Sequence, residues 1–293
     1  MIQRLHKRAG GSSKHCGNGS LNRFYAGGLL IAVVILGGCS TPSFSRIETA
    51  EPQMIQLEQT TEILASSDET VAVTLDPVYQ TRKHYRGITF LRFLKSNGRE
   101  PAMMAADTVV QFVCKDGYNP IASLGALVQD GAFLATGDLD APSDRTWIQF
   151  KYGASQRDPG QFYLVWPNAK PTSDDHPWPY GIIALRIGRA NALLGPALPK
   201  SERFQQGFNL FRQNCMMCHS VNGVGGTIGI DLNVPRNVFE YWQADKLPTM
   251  VANPVAFRRN AKMPPFDQLG HQAISDILEY VKHMKAHKIQ PVP

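Results

Sequence analysis

Residues 215–219 read Cys-Met-Met-Cys-His, and no other run in the chain restricts its fold and chemistry so narrowly. Two cysteines two residues apart, with histidine directly after, form the attachment signature of c-type haem. On one helical turn both thiols can reach the two vinyl groups of the macrocycle and form thioether bonds. The imidazole next in sequence then lies beneath the iron as its proximal ligand. Two other uses of paired cysteines fail on their own requirements. A structural zinc site needs a second ligand pair of matching spacing, which this chain lacks. A thioredoxin-like dithiol needs a strand before the motif, and a helical pattern precedes it here. One covalent haem c is therefore expected, bonded to Cys215 and Cys218, with His219 on its iron.

The flanks supply the rest of such a pocket. Phe204, Phe208 and Phe211 recur at helical spacing after Ser201, a suitable N-cap, with Glu202 in the first turn. Ile274, Ile277, Leu278, Val281 and Met284 make a second apolar stripe. Lys285 and Lys288 suit the negative end of that helix, and Pro291 lies beyond it. Two helices bracketing the motif can cross and enclose a macrocycle. A second axial ligand is then expected between them. Met263, in Ala261-Lys262-Met263-Pro264-Pro265-Phe266, is the candidate, with Met250 in reserve. A thioether is a soft donor, and His/Met ligation raises the reduction potential relative to two histidines. The two prolines limit the freedom of the unfolded loop and so help hold sulfur on iron. His271, His283 and His287 are read as solvated.

These residues carry a resemblance. From about Ser201 to Lys288 the chain resembles a class I cytochrome c domain, through Gly207, Phe211, Gly223-Val224-Gly225, Asp231-Leu232-Asn233, Tyr241-Trp242, Asn253-Pro254, Met263-Pro264-Pro265 and Tyr280. The resemblance implies an all-α fold, single-electron transfer and redox protein partners. It also implies a backbone carbonyl, from the loop after the histidine, that accepts from the imidazole Nδ1–H and fixes the ring. This chain has Gly229-Ile230-Asp231 where the family commonly shows Gly-Pro, so the residue offering that carbonyl stays open. Tyr241 and Trp242 either reach a haem propionate or simply pack.

The first 38 residues read as an export signal. Arg4, Lys7, Arg8, Lys14 and Arg23 precede an apolar stretch over 26–36 with no acid among them. At ~1.5 Å per residue that stretch spans under ~20 Å, short of a ~30 Å hydrocarbon core. It ends in Leu36-Gly37-Gly38-Cys39-Ser40, which resembles a bacterial lipoprotein signal and implies acylation of Cys39. Ser40 after the cysteine goes, in that family of signals, with outer-membrane sorting. The expectation is a lipid-anchored protein of the cell envelope facing the periplasm, the compartment in which haem c is attached. Several acyl chains on one cysteine exceed the marginal one-chain case, so the anchor is stable. The whole chain carries +6, and its five signal cations account for all but +1, so nucleic acid is not an expected partner.

Residues 39–68, rich in Ser, Thr, Pro, Gln and Glu, read as a flexible tether. Residues 69–198 mix strand and helix signals and suggest an α+β domain. Strands are expected over 71–75, 109–114, 161–166 and 182–187, a short helix over 87–94, and a proline-rich loop over 167–180. Tyr85-Arg86-Gly87-Ile88, Asp116-Gly117-Tyr118 and Gly160-Gln161-Phe162-Tyr163-Leu164-Val165-Trp166-Pro167 make this segment similar to part of the molybdopterin-binding domain of the sulfite oxidase family. That resemblance raises Cys114 as a molybdenum ligand. Its alternation with Val110 and Phe112 points instead into a core, and the segment is read as a scaffold without cofactor. Such a scaffold docks a redox partner, sets the distance of haem from the membrane, or binds a small ligand. His176, Trp178 and Tyr180 either line a recognition loop or pack on the sheet.

The fold expected is thus an α+β domain over 69–198 followed by an all-α class I cytochrome c domain over 199–293. The function expected is a membrane-tethered electron carrier rather than an enzyme. The alternative is a molybdopterin-dependent oxidoreductase with a fused haem c electron outlet.

Overall fold

A computed structural model describes residues 51–57, 67–152, 155–168 and 176–289. The expected export signal and Cys39 lie outside the described residues. Among the described residues no helix is long and apolar enough to cross a membrane.

The first half holds two four-stranded antiparallel sheets. One has the order β1 (Gln53–Gln56), β10 (Ile182–Arg189), β4 (Thr108–Cys114), β5 (Ile121–Ser123). The other runs β2 (Glu69–Asp76), β3 (Thr81–Thr89), β6 (Phe133–Asp138), β9 (Tyr163–Val165). Helices α1 (Phe90–Ser96) and α2 (Leu124–Gln129) follow β3 and β5, and β7 (Phe150–Tyr152) pairs with β8 (Ser155–Arg157). Between the sheets lies a core of Ile88, Phe112, Leu134, Leu164 and Leu185, joined by Phe90 and Phe93 of α1. A second cluster, with Tyr85, Phe133, Trp147 and Tyr163, covers the far face of the second sheet. Strands β6 and β9 of that sheet are therefore buried on both faces, with every residue of each buried.

Three differences from the sequence expectations have physical causes. Gln53–Gln56, within the stretch read as a tether, forms an edge strand on β10, because Ile55 and Leu57 bury their side chains in the core. The helix expected over 87–94 begins only at Phe90; Gly87 and Ile88 belong to β3. A Cβ on Gly87 would lie 2.2 Å from Leu134 O, so its missing side chain lets β3 and β6 approach. β3 itself is masked in the sequence by Lys83, which points inward and is buried. Its ammonium meets Asp138 at 2.6 Å, which compensates the charge. Asp76, also buried, accepts from the hydroxyls of Tyr85 and Tyr163 and from the N–H groups of Val78 and Tyr79.

After α3 (Ala190–Leu194) the chain becomes mainly helical, with α4 (Gln205–Asn214), α5 (Leu247–Ala252) and α6 (Gly270–Met284). A hairpin of β11 (Ser220–Val221) and β12 (Val224–Gly225) adds a small sheet to a part expected to be all-α. Ser201 starts a 3-10 turn over Glu202–Phe204 without a side-chain cap, and α4 begins after it. Phe208 and Phe211 pack against Tyr280 of α6, with ring centroids 5.5 and 5.4 Å apart. The two helices meet at Gly207, where a Cβ would fall 2.1 Å from Asp276 O. The core beneath them includes Leu194 and Ala197, with Ile121 and Ala190 packed against it. Residues of the sheet half thus contribute to the helical core, and the described residues form one compact unit.

Candidate functional site

The end of α4 shapes the Cys-Met-Met-Cys-His turn. Cys215 N–H donates to Phe211 O at 2.8 Å, and His219 N–H donates to Cys215 O at 2.8 Å. One tight turn therefore carries both thiols and the imidazole. Neither thiol is in a disulfide; Cys215 is buried and Cys218 half-buried. Burial pushes the Cys215 thiol up to about 12, with Cys218 adding to it. Burial, then Asp116, raises Cys218 as well. Two un-ionised thiols do not make a thiolate nucleophile at neutral pH.

The imidazole is held from one side only. His219 Nδ1 lies 2.8 Å from Ile230 O, which fixes the proton on Nδ1 and leaves the Nε2 lone pair for a ligand. The carbonyl left open by the sequence is that of Ile230. Its neighbour Gly229 lies against the ring: a Cβ there would sit 2.3–2.7 Å from three ring atoms. The loop is pinned in turn by Asp231. Its Oδ1 accepts from the N–H groups of Asn233 and Val234, and its Oδ2 from Gly223 N–H.

Behind the loop lies a buried chain of amides that sequence reasoning missed in part. Asn233 Nδ2 donates to Asn222 Oδ1 at 2.7 Å, and Asn237 Nδ2 donates to Asn233 Oδ1 at 2.8 Å. Asn222 Nδ2 reaches Pro196 O and His287 O, and Asn237 Nδ2 also reaches Val281 O. The network joins hairpin, loop and α6, and every amide in it has a partner, as burial demands. Asn233 was singled out in sequence. Asn222 and Asn237 carry no local signal except that Asn237 precedes Glu240 by three residues, the capping-box spacing they do form.

Met263 lies half-buried on the loop between the 3-10 turns Pro254–Ala256 and Asp267–Leu269. That loop is tied to α5 by Phe266 N–H donating to Val251 O at 3.3 Å. Met250 is half-buried on α5. Trp242 packs edge-on to Phe257 at 6.0 Å, while Tyr241 is exposed with the Arg236 guanidinium over its ring. Ile228, Ile230, Val255 and Phe257 are all 40% or more exposed. Ile228 and Ile230 flank the Gly229 that lies against the His219 ring, and the histidine and two thiols are the donors that haem c requires.

The remaining candidates have other roles. His283 stacks on Phe204 at 4.2 Å and accepts from Lys200 N–H, and its ring also contacts His287; only His271 is exposed. Lys288 pairs with Glu240 at 2.7 Å, whose carboxyl it holds below the usual range. Cys114 is buried among apolar side chains of the sheet core, and burial raises its thiol far above the usual range. His176 meets Asp130 at 2.9 Å and Trp166 edge-on, and Tyr180 packs on Phe150. Among the described residues no group of three or more His, Cys, Asp and Glu converges to hold a metal ion.

No curated protein matches the chain. The model of the cytochrome c family matches residues 204–285, the span that holds the turn, the Ile230 loop, Met263 and all of α6. The C-terminal part of this chain is therefore a cytochrome c domain, which brings haem and electron transfer with it.

Proposed function

We propose that this protein is a membrane-tethered, mono-haem c-type cytochrome that carries single electrons between redox proteins in the periplasm. The observation that carries the reading is the His219 imidazole. Its Nδ1–H is committed to Ile230 O, so Nε2 would be the ring atom offered to iron, at the end of a turn bearing two thiols outside any disulfide. Cys215 and Cys218 would hold the macrocycle covalently, and His219 and Met263 would ligate its iron. When bound, the haem supplies an Fe(III)/Fe(II) couple. The Ile230 carbonyl raises imidazole basicity, and the exposed apolar loop residues keep water from the macrocycle. With His219 and Met263 both given to the iron, the chain would favour outer-sphere transfer over substrate chemistry. The lipid anchor at Cys39 and the outer-membrane address come from the signal sequence, and the α+β half serves as a cofactor-free scaffold.

Met263→Ala tests the ligand set. The variant is expected to keep its covalent haem, lose the sulfur-to-iron charge-transfer band, drop in midpoint potential and bind carbon monoxide. An unchanged band would refute Met263 as ligand. Stoichiometric molybdenum and pterin in purified wild-type protein would instead favour the oxidoreductase.

A further inference from the structure

The turn over residues 116–119 belongs to the sheet half, yet it is bonded to Met217 of the haem-attachment turn and to Thr227 in the segment after the hairpin. Asn119 N–H donates to Met217 O at 2.9 Å, and Thr227 N–H donates to Gly117 O at 2.8 Å. The Asn119 side chain bridges the junction. Its Oδ1 accepts from Cys114 N–H at 3.0 Å, and its Nδ2 donates to Gly225 O at 3.4 Å. Gly117, at φ 86°, lies so close to Thr227 that a Cβ would come within 2.5 Å of its Oγ1. Asp116 closes the turn by accepting from Tyr118 N–H at 3.0 Å. Tyr118 is half-buried and within electrostatic reach of Cys218. Lys115 N–H, donating to Gly181 O at 2.9 Å, secures the same turn to the sheet.

A macrocycle bonded to Cys218 has one edge at that sulfur, beside this turn. Resting on the haem reading above, we propose that residues 116–119 are a clasp that fixes the attachment turn and screens the Cys218 edge of the haem from water, with Asn119 as the positioning residue. A drier edge disfavours the more highly charged ferric state and so raises the potential. It also denies that edge to small reductants, so electron exchange proceeds through another face of the domain.

The test uses the full-length, haem-loaded chain. Asn119→Ala removes both side-chain bonds and leaves the backbone ones. Asn97→Ala is the control, since it removes a bond of the same kind, Asn97 Nδ2 to Phe93 O at 2.8 Å, elsewhere in the same half. In Asn119→Ala the midpoint potential is expected to shift down and reduction by ascorbate to quicken, with Asn97→Ala unmoved. Equal potentials in the two variants overturn the clasp. Amide exchange on the wild-type protein needs no variant to fold. Protection of Asn119 and Thr227 matching that inside α4 supports the clasp, and free exchange overturns it. Colour retained through denaturation and organic extraction is scored on the same samples. Colourless protein counts against the haem assignment, whereas coloured protein with an unmoved potential counts against the clasp alone.

Discussion

His219 serves an iron only if its ring cannot turn, and the chain secures this with backbone. Ile230 offers a carbonyl, Asp231 holds the loop with three N–H bonds, and the Asn222–Asn233–Asn237 chain ties that loop to α6. The Cys-x-x-Cys-His pattern was legible in sequence because its spacing is local. Ile230 was not, since every residue has a carbonyl and only the loop's path selects one. His283 shows the same limit. It was read as solvated, yet its Nε2 accepts from Lys200 N–H, which requires the neutral ring. Burial, then His287, lowers its pKa from 6.5. A lowered histidine pKa means the stabilisation is present above the unfolded value and lost as pH falls through the folded one. The urea midpoint of the protein is therefore expected to fall between about pH 7 and about pH 5. His283→Gln, which keeps an acceptor that does not titrate, is expected to flatten that slope; an unchanged slope would assign it to other groups.

Helices α4 and α6 follow from apolar spacing, and the structure buries most of the residues that spacing selects, Phe208, Phe211, Ile274, Ile277, Val281 and Met284, while Phe204, in the preceding 3-10 turn, and Leu278 are only half-buried. Their crossing point is a matter of shape. Gly207 admits the carbonyl of Asp276, and a methyl group there must push the helices apart. Gly207→Ala is expected to cost about 3 kcal/mol or more, read as a lowered denaturant midpoint, because overpacking against backbone cannot be relieved by a rotamer change. A loss under about 0.5 kcal/mol would show that the crossing yields easily. Strands β3 and β6 illustrate the opposite case, elements hidden by their own burial. β3 carries Lys83 at a core position, and β6 is buried on both faces, so neither displays the apolar–polar alternation of a half-buried strand. Their pairing supplies what periodicity could not.

The sheet half and the helical half share more than a linker. Leu194 and Ala197 enter the helical core, Tyr280 donates its hydroxyl to Ala197 O at 2.6 Å, and the 116–119 turn reaches the attachment turn. Such contacts suit a protein in which one half sets the surroundings of a cofactor in the other. The proposed lipid anchor is a separate question, and it rests on the sequence around Cys39. Cys39→Ala is expected to move the protein from the membrane fraction into the soluble periplasmic fraction. Retention in the membrane fraction would place the anchor elsewhere. The attachment motif, the apolar faces of the two long helices and the mixed strand–helix character of the first half could be read from residue order alone, since each is a short-range pattern. The carbonyl that orients His219, the buried amide chain, the inward Lys83 and the grip of residues 116–119 on the haem turn emerged only on folding. Each joins groups far apart in sequence, and hydrogen bonds and steric fit act through space without leaving a periodic trace along the chain.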